Sequence, residues 1–555
     1  MYDYVRRMLG LQIARRYLVK VHPLPRLWRY SGLFLIKFTM TVSTEAGLSS
    51  SIIATLKNRS LSQIGVVLII VFVGRFLLRG IYRIYLHPLR HFPGPRASAF
   101  TRLPYLTATA QGRLYKHVAK LHEKYGEVVR ISPDELSFVN PNAWRDIYGL
   151  GPKQGQGSPP PKYWLWYGTA AGGVEPISTI QDPSEHARLR KVFLPAFSER
   201  ALTQQAPLFT KYVDQLVQIL KDSSQERKAV DMVRMYNFTT FDIMGDLTFG
   251  ESLHMLDNAE YDPWVKSIFG FVKRSVQLGL IYTYYPLAAA IVRAMINKKA
   301  TQLAEDHLEY SSTRVTKRLD KGRASKGVDI WDLVLESEDK GNALTRKEMN
   351  SNAGVFMFAG TETTATLLSG LTYLLLSNLE SGAMRKLNEE VRGAFASSED
   401  ISMETIQTLP YLNACLKEGL RLYPPVPSGM MHRTIGQGST ICGYYVPPEV
   451  SVAAHHKVIY SSPVMFNNPL SFTPERWLGD ERFASDVRSA FQPFSVGPRD
   501  CVGKNMAYHE MRLILAKVVF NFDLELRPES KDWADQQVFI LWQKGPLMVN
   551  VKPSH

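Results

Sequence analysis

Near the C-terminus, the run FSVGPRDCVGK (residues 494–504) presents one of only three cysteines in 555 residues. Gly497 and Pro498 turn the chain, and Gly503 removes a side chain two residues past the thiol. Residues 505–520 then carry apolar side chains at helical spacing (Met506, Leu513, Leu515, Val518, Val519), so Cys501 stands on a loop that enters a helix. At a helix N-terminus the backbone N–H groups and the dipole favour a thiolate, the form that attacks carbon or binds metal. Arg499 carries a planar fork suited to a carboxylate. A nucleophilic cysteine wants a partnered histidine, but His509 is about two helical turns away and no local nucleophile signature surrounds Cys501. The other reading is a thiolate ligand to haem iron, with Arg499 on a propionate of the porphyrin.

Three more segments concentrate chemistry. In AGTETT (residues 359–364) a glycine, three threonines and an acid interrupt an apolar helical stretch of about residues 347–376. Gly360 costs about 1 kcal/mol there relative to alanine. The functional reading is a groove beside Gly360 that admits dioxygen, with Thr363 hydrogen-bonding the oxygen molecule and Glu362 relaying protons. Glu418 and Arg421, three apart, share a helix face and can pair, and Arg476 follows in PERW. His186 and Arg190, four apart in SEHARLRKVF, share another helix face.

The complete pattern Phe494, Gly497, Arg499, Cys501 and Gly503 resembles the haem-thiolate loop of the cytochrome P450 superfamily. AGTETT resembles that family's oxygen-activation helix, and Glu418 with Arg421 and Arg476 its buried structural network. The resemblance covers about residues 92–555, with the motifs in the family's order. It implies a mainly α fold with a small β-sheet subdomain and haem b on the Cys501 thiolate. It further implies propionate contacts from Arg499, His186, Arg190 and His432, with Phe494 and Gly497 shaping the cofactor loop. Thr363 and Glu362 are the implied catalytic pair. Phrases such as HPLRHFPGPR and ICGYYVPPEV look most like fungal, secondary-metabolism members.

These sites must be carried by a large unit. The composition, 45% hydrophobic, supports an extensive core, and no repeat or low-complexity linker divides residues 100–555. Three cysteines build no disulfide framework, and no zinc motif appears. The net charge of +15 is uneven: residues 1–39 hold eight Lys/Arg and one acid. With no nucleic-acid motif, this excludes nucleic acid as the partner and points to an anionic membrane or an acidic protein. Residues 60–74 carry no charge, and extending the run to Leu78 gives roughly 28 Å, near the ~30 Å of a bilayer core. Arg75, Arg79, Arg83 and Arg90 follow, which keeps the bulk of the chain cytosolic.

The expected organisation is a basic segment 1–39, a short luminal segment 40–60, a transmembrane anchor 61–81, a Pro-rich hinge 82–98 and a catalytic domain 99–555. Translocating a +7 segment conflicts with that topology, so Met40 is the favoured start, with a basic targeting segment as the alternative. Asn58 begins a glycosylation sequon close to the membrane. Only 54 residues follow Cys501, without a flavin or NADPH domain. The resemblance therefore implies electrons from NADPH through a separate cytochrome P450 reductase, with cytochrome b5 as a second donor, at the endoplasmic reticulum membrane. The expected reaction is hydroxylation or epoxidation of a lipophilic terpenoid or polyketide intermediate. The segments expected to line its pocket are 163–173, 264–285, 356–360, 426–431 and 539–547, all rich in aromatic and aliphatic residues. A non-oxygenating rearrangement or dehydration on the same haem is the alternative, and a non-catalytic haem protein a further one.

Overall fold

The computed structural model describes residues 61–150, 159–163, 174–295, 298–322, 329–338 and 343–554. The basic segment 1–39, Met40, the segment 40–60 with Asn58, and all of segment 163–173 except Tyr163 lie outside them. The chain divides into two units, Met1–Arg79 and Gly80–His555. In the first, helix α1 begins; it runs Leu61–Tyr85. Its stretch Gly65–Tyr85 is the one helix among the described residues long and apolar enough to cross a membrane. Leu68, Ile69, Ile70 and Phe72 stand exposed along it, as lipid-facing side chains must.

The second unit is mainly helical with small sheets. Residues 82–98, expected as a hinge, are bonded to this unit. The α1 helix continues to Tyr85, a 3-10 turn follows over Pro88–His91, and Leu89 is fully buried. The Arg83 carbonyl accepts from Arg130 Nη1 at 2.9 Å, and the Pro93 carbonyl from Arg130 N–H at 2.8 Å. Arg130 lies on β1 (Val128–Ser132), which pairs antiparallel with β2 (Glu135–Phe138). Beyond the short β3 (Val230–Asp231), strand β4 (His432–Arg433) pairs with β5 (Ser451–Ala453), and β5 runs parallel to β2. This four-stranded sheet sets His432 opposite Val452. A second sheet joins β3 to β6 (Phe522–Leu526) through β7 (Met548–Pro553).

Five helices position the site: α2 (Pro183–Phe193), α3 (Met232–Phe249), α4 (Arg346–Ser377), α5 (Pro410–Leu422) and α6 (Lys504–Asn521). The start of α4 is fixed by a capping box: Thr345 Oγ1 accepts the Glu348 N–H while Glu348 Oε2 accepts the Thr345 N–H. Its 32 residues run through the main core and are buried on most sides, so residues that stay open along it need an explanation.

The glycine in the middle of α4 has a packing reason. A Cβ on Gly360 would lie 2.8 Å from Met244 Sδ on α3, so glycine lets α3 and α4 approach closely. The groove expected beside Gly360 is occupied by that thioether. Phe356, expected to line a pocket, is core: its ring meets Phe193 at 4.8 Å and Phe197 at 5.4 Å.

Candidate active site

The cysteine loop is built by short-range contacts and then tied to α2. The Cys501 N–H donates to the Phe494 carbonyl at 3.0 Å, closing the loop, and the Phe494 ring packs 5.2 Å from Tyr508. Gly497 has φ +83°, and a Cβ there would sit 2.6 Å from the Tyr148 carbonyl oxygen. Conformation and close approach both demand glycine. Arg499 donates to the carbonyls of Ile180 at 2.7 Å and Gln181 at 3.0 Å. Arg190, on α2, donates to the Asp500 carbonyl at 2.8 Å and pairs with its carboxylate at 2.5 Å. Arg190 therefore clasps the loop, whereas the shared face with His186 suggested a propionate contact for both.

The three cysteines differ. Cys415 is buried on α5; Cys442 sits at a hairpin turn, where its N–H donates to Asp146 Oδ2 at 2.9 Å. Cys501 is open to a water-sized space, yet surrounding protein pushes its thiol up to about 11 while the Gly503 N–H pulls it down. The thiol is thus exposed on its open side and crowded by protein on the other. In the middle of α4, Ala359 is exposed and Phe358, Gly360 and Thr363 are half-buried, while Thr361, Glu362 and Thr364 are buried. The Thr363 hydroxyl donates to the Ala359 carbonyl at 2.6 Å, so it offers its open side a lone pair rather than its hydrogen.

Beside this space four basic side chains act on one another. His186 is 5% and His432 6% exposed. Burial first, then Arg499 and Lys162, lowers His186 to about 4. Burial, with Lys162 and Arg499 adding, lowers His432 to about 4, and its Nδ1–H donates to the Pro160 carbonyl at 2.6 Å. Lys162 falls to about 7 through burial and Arg499, and its Nζ donates to the Ser178 carbonyl. A cluster of basic groups depressing one another's protonation suits a ligand that brings two carboxylates, as haem does with its propionates. Lys162 escaped sequence reasoning because it sits in a loop without a motif; the Lys162–His432 bridge places it there. Among the described residues no group of three or more His, Cys, Asp or Glu could hold a metal.

Glu362 turns elsewhere. It is 3% exposed and bonds Lys544 Nζ and, at 3.3 Å, the Thr366 hydroxyl. It does not share the open face of Thr363. Its neighbour Thr364 faces Glu510 on α6, a carboxyl that burial raises to about 8. Glu418, Arg421 and Arg476 form the expected network, each no more than 1% exposed. Arg476 also pairs with Asp486, and Trp477 Nε1 donates to Glu418 at 3.0 Å.

A cytochrome P450 family profile matches residues 93–551. The chain is 44% identical over 480 residues to the cytochrome P450 monooxygenase efuB of Hormonema carpetanum, covering 85% of this chain and 93% of that one. It is 44% identical over 474 residues to the cytochrome P450 monooxygenase FUM2 of Gibberella moniliformis (84% and 98%) and 41% over 472 residues to AMT3 of Alternaria alternata (85% and 95%). The chain belongs to the cytochrome P450 family. It is a P450 monooxygenase, and membership brings haem with a cysteine thiolate ligand. In this P450, Arg499 and Arg190 tie the cysteine loop to the segment of residues 180–190, across more than 300 residues of sequence.

Proposed function

We propose that this P450 is a membrane-anchored, reductase-dependent monooxygenase that hydroxylates or epoxidises a lipophilic intermediate of a fungal secondary-metabolite pathway. The observation that carries the reading is Cys501, the one exposed cysteine of the three, held by the Gly503 N–H at the start of α6. When bound, haem supplies dioxygen activation; the chain supplies placement and protons. Cys501 would supply the thiolate that holds its iron. Arg499, His186, His432 and Lys162 hold the propionates, and Arg190 fixes the loop through Asp500. Phe494 and Gly497 shape the loop around the sulfur. Thr363, its hydrogen committed to Ala359, accepts a hydrogen bond at the open face of α4, and Glu362, beside it in the chain but turned to Lys544, is the proton store.

Two contacts each join a pair of the expected pocket segments. Tyr163 N–H bonds the Met431 carbonyl at 3.1 Å, and Lys273 lies over the Phe539 ring at 5.2 Å. Their apolar composition supports a lipophilic substrate. The helix Gly65–Tyr85, uncharged up to Gly74 and carrying Arg75, Arg79 and Arg83 in its second half, with Arg90 beyond it, supports a bilayer anchor, assigned to the endoplasmic reticulum, with the catalytic unit in the cytosol. Lys191, Arg200 and Lys504 are exposed on elements flanking the cysteine loop, which suits an acidic reductase face; cytochrome b5 would use the same charges.

The test is the carbon monoxide difference spectrum of the reduced protein with Cys501→Ser alongside. A strongly red-shifted Soret band, lost in the variant, is expected. NADPH, reductase and labelled dioxygen should then place one oxygen atom in a lipophilic substrate. A histidine-type spectrum unchanged by the substitution would overturn the assignment.

A further inference from the structure

Lys544 is 182 residues from Glu362 in sequence, yet its ammonium bonds both Glu362 Oε1 and Thr366 Oγ1. Both side chains of the ion pair are 4% exposed. The backbone around Lys544 reaches the surface, with Gln543 and Gly545 exposed, so the pair spans from an outer loop to the middle of α4. Aromatic side chains close its flank. Tyr423 stacks on Trp542 at 4.4 Å and lies 5.5 Å from Trp533, and the Trp542 indole donates to the Pro424 carbonyl at 2.8 Å.

The other titratable groups that face Glu362 are the phenols of Tyr261 and Tyr423. Both are pushed up by burial, and the Glu362 charge adds to the shift. They are neutral at working pH, so Lys544 is the one cation paired with Glu362 among the described residues. Glu362 Oε2 is buried and has no hydrogen-bond partner among them. One carboxylate oxygen is thus anchored and the other is left for a proton. A buried carboxylate deprived of its counter-charge takes up a proton instead.

We propose that Lys544 is a positioning residue for oxygen activation, keeping Glu362 ionised and its second oxygen turned away from the ion pair, ready to carry protons. This deepens the monooxygenase reading and rests on it. The test uses the full-length haem-loaded protein in lipid nanodiscs, reading the infrared C=O stretch of protonated carboxyl groups across pH. Glu510, which burial raises to about 8, gives a protonated-carboxyl band in every variant, so the spectra are read as differences from the parent. Lys544→Met should add one further protonated-carboxyl band at pH 7, which Lys544→Met combined with Glu362→Gln lacks. Lys544→Arg should restore the carboxylate. Lys544→Gln serves if the methionine variant fails to fold.

With reductase and NADPH, the solvent deuterium effect on oxygen uptake should increase in the methionine variant and return to the parent value in the arginine variant. A folded Lys544→Met or Lys544→Gln protein without the new band overturns the role of Lys544. The carbon monoxide spectrum of the same samples keeps the two readings apart, since loss of its red-shifted band in the parent protein sinks the haem-thiolate assignment itself.

Discussion

Arg421 gives every N–H of its guanidinium to a partner inside the core, and two of them go to the Glu418 carboxylate, at 2.7 and 2.9 Å. The others reach the carbonyls of Tyr460 at 2.9 Å, Pro469 at 2.5 Å and Ser471 at 3.0 Å. Arg476 adds a third charge, 3.1 Å from Glu418. The pair is a junction between α5 and the chain that leads to the cysteine loop. Removing one partner leaves a buried charge uncompensated, which costs about 3–5 kcal/mol. Glu418→Gln and Arg421→Met should therefore lose that much stability in denaturant unfolding and bind little haem. A variant with unchanged stability would show that the network is dispensable.

Thr363→Ala removes the hydroxyl on the open face of α4 but no core packing. Haem content and the carbon monoxide band should be unchanged. Product formed per NADPH should fall by on the order of a hundredfold, with hydrogen peroxide appearing in its place. Coupling equal to the parent's would remove Thr363 from the reaction.

Lys162→Met and Arg499→Leu each delete one cation from the cluster beside His186 and His432. A charge-assisted hydrogen bond contributes about 1.5–3 kcal/mol, so haem transfer to an acceptor globin should speed up by roughly tenfold or more in each. Arg499→Leu should have the larger effect, because Arg499 also holds the carbonyls of Ile180 and Gln181.

Glu510 gives a pH-dependent prediction. Burial raises it from 4.5 to about 8, so the folded protein keeps its proton while the unfolded chain releases one above pH 4.5. Its contribution to stability is therefore lost as pH rises from about 4.5 to 8. Glu510→Gln, which keeps a partner for Thr364, should match the parent protein below pH 4.5. At pH 7.5 it should be more stable by roughly 3–4 kcal/mol, as read from urea unfolding at the two pH values. A constant difference between the proteins would refute the assignment.

Local pattern made the cysteine loop readable: its turn, its glycine and its helix entry lie within a dozen residues. The mainly helical fold and the Glu418–Arg421 pair were legible for the same reason, being set by helical spacing. What stayed hidden depends on contacts between distant segments. Lys544 and Asp486 have no motif around them, and their meaning comes from partners on other elements. Arg190 shares a helix face with His186, as spacing predicts, but spacing says nothing of Asp500 opposite it. Gly360 was read as an opening because the sequence could not show Met244 filling it.

The attachment of residues 82–98 bears on where the chain can be cut to obtain a soluble enzyme. Arg130, 2% exposed, needs the Arg83 carbonyl, and its strand needs the Pro93 carbonyl. Leu89 fills a place in the second apolar cluster. A start site after the prolines would strip a buried guanidinium of a partner and open that cluster to water. A start site a few residues before Arg83 leaves both intact, so the boundary for expression belongs inside the last turns of the anchor helix.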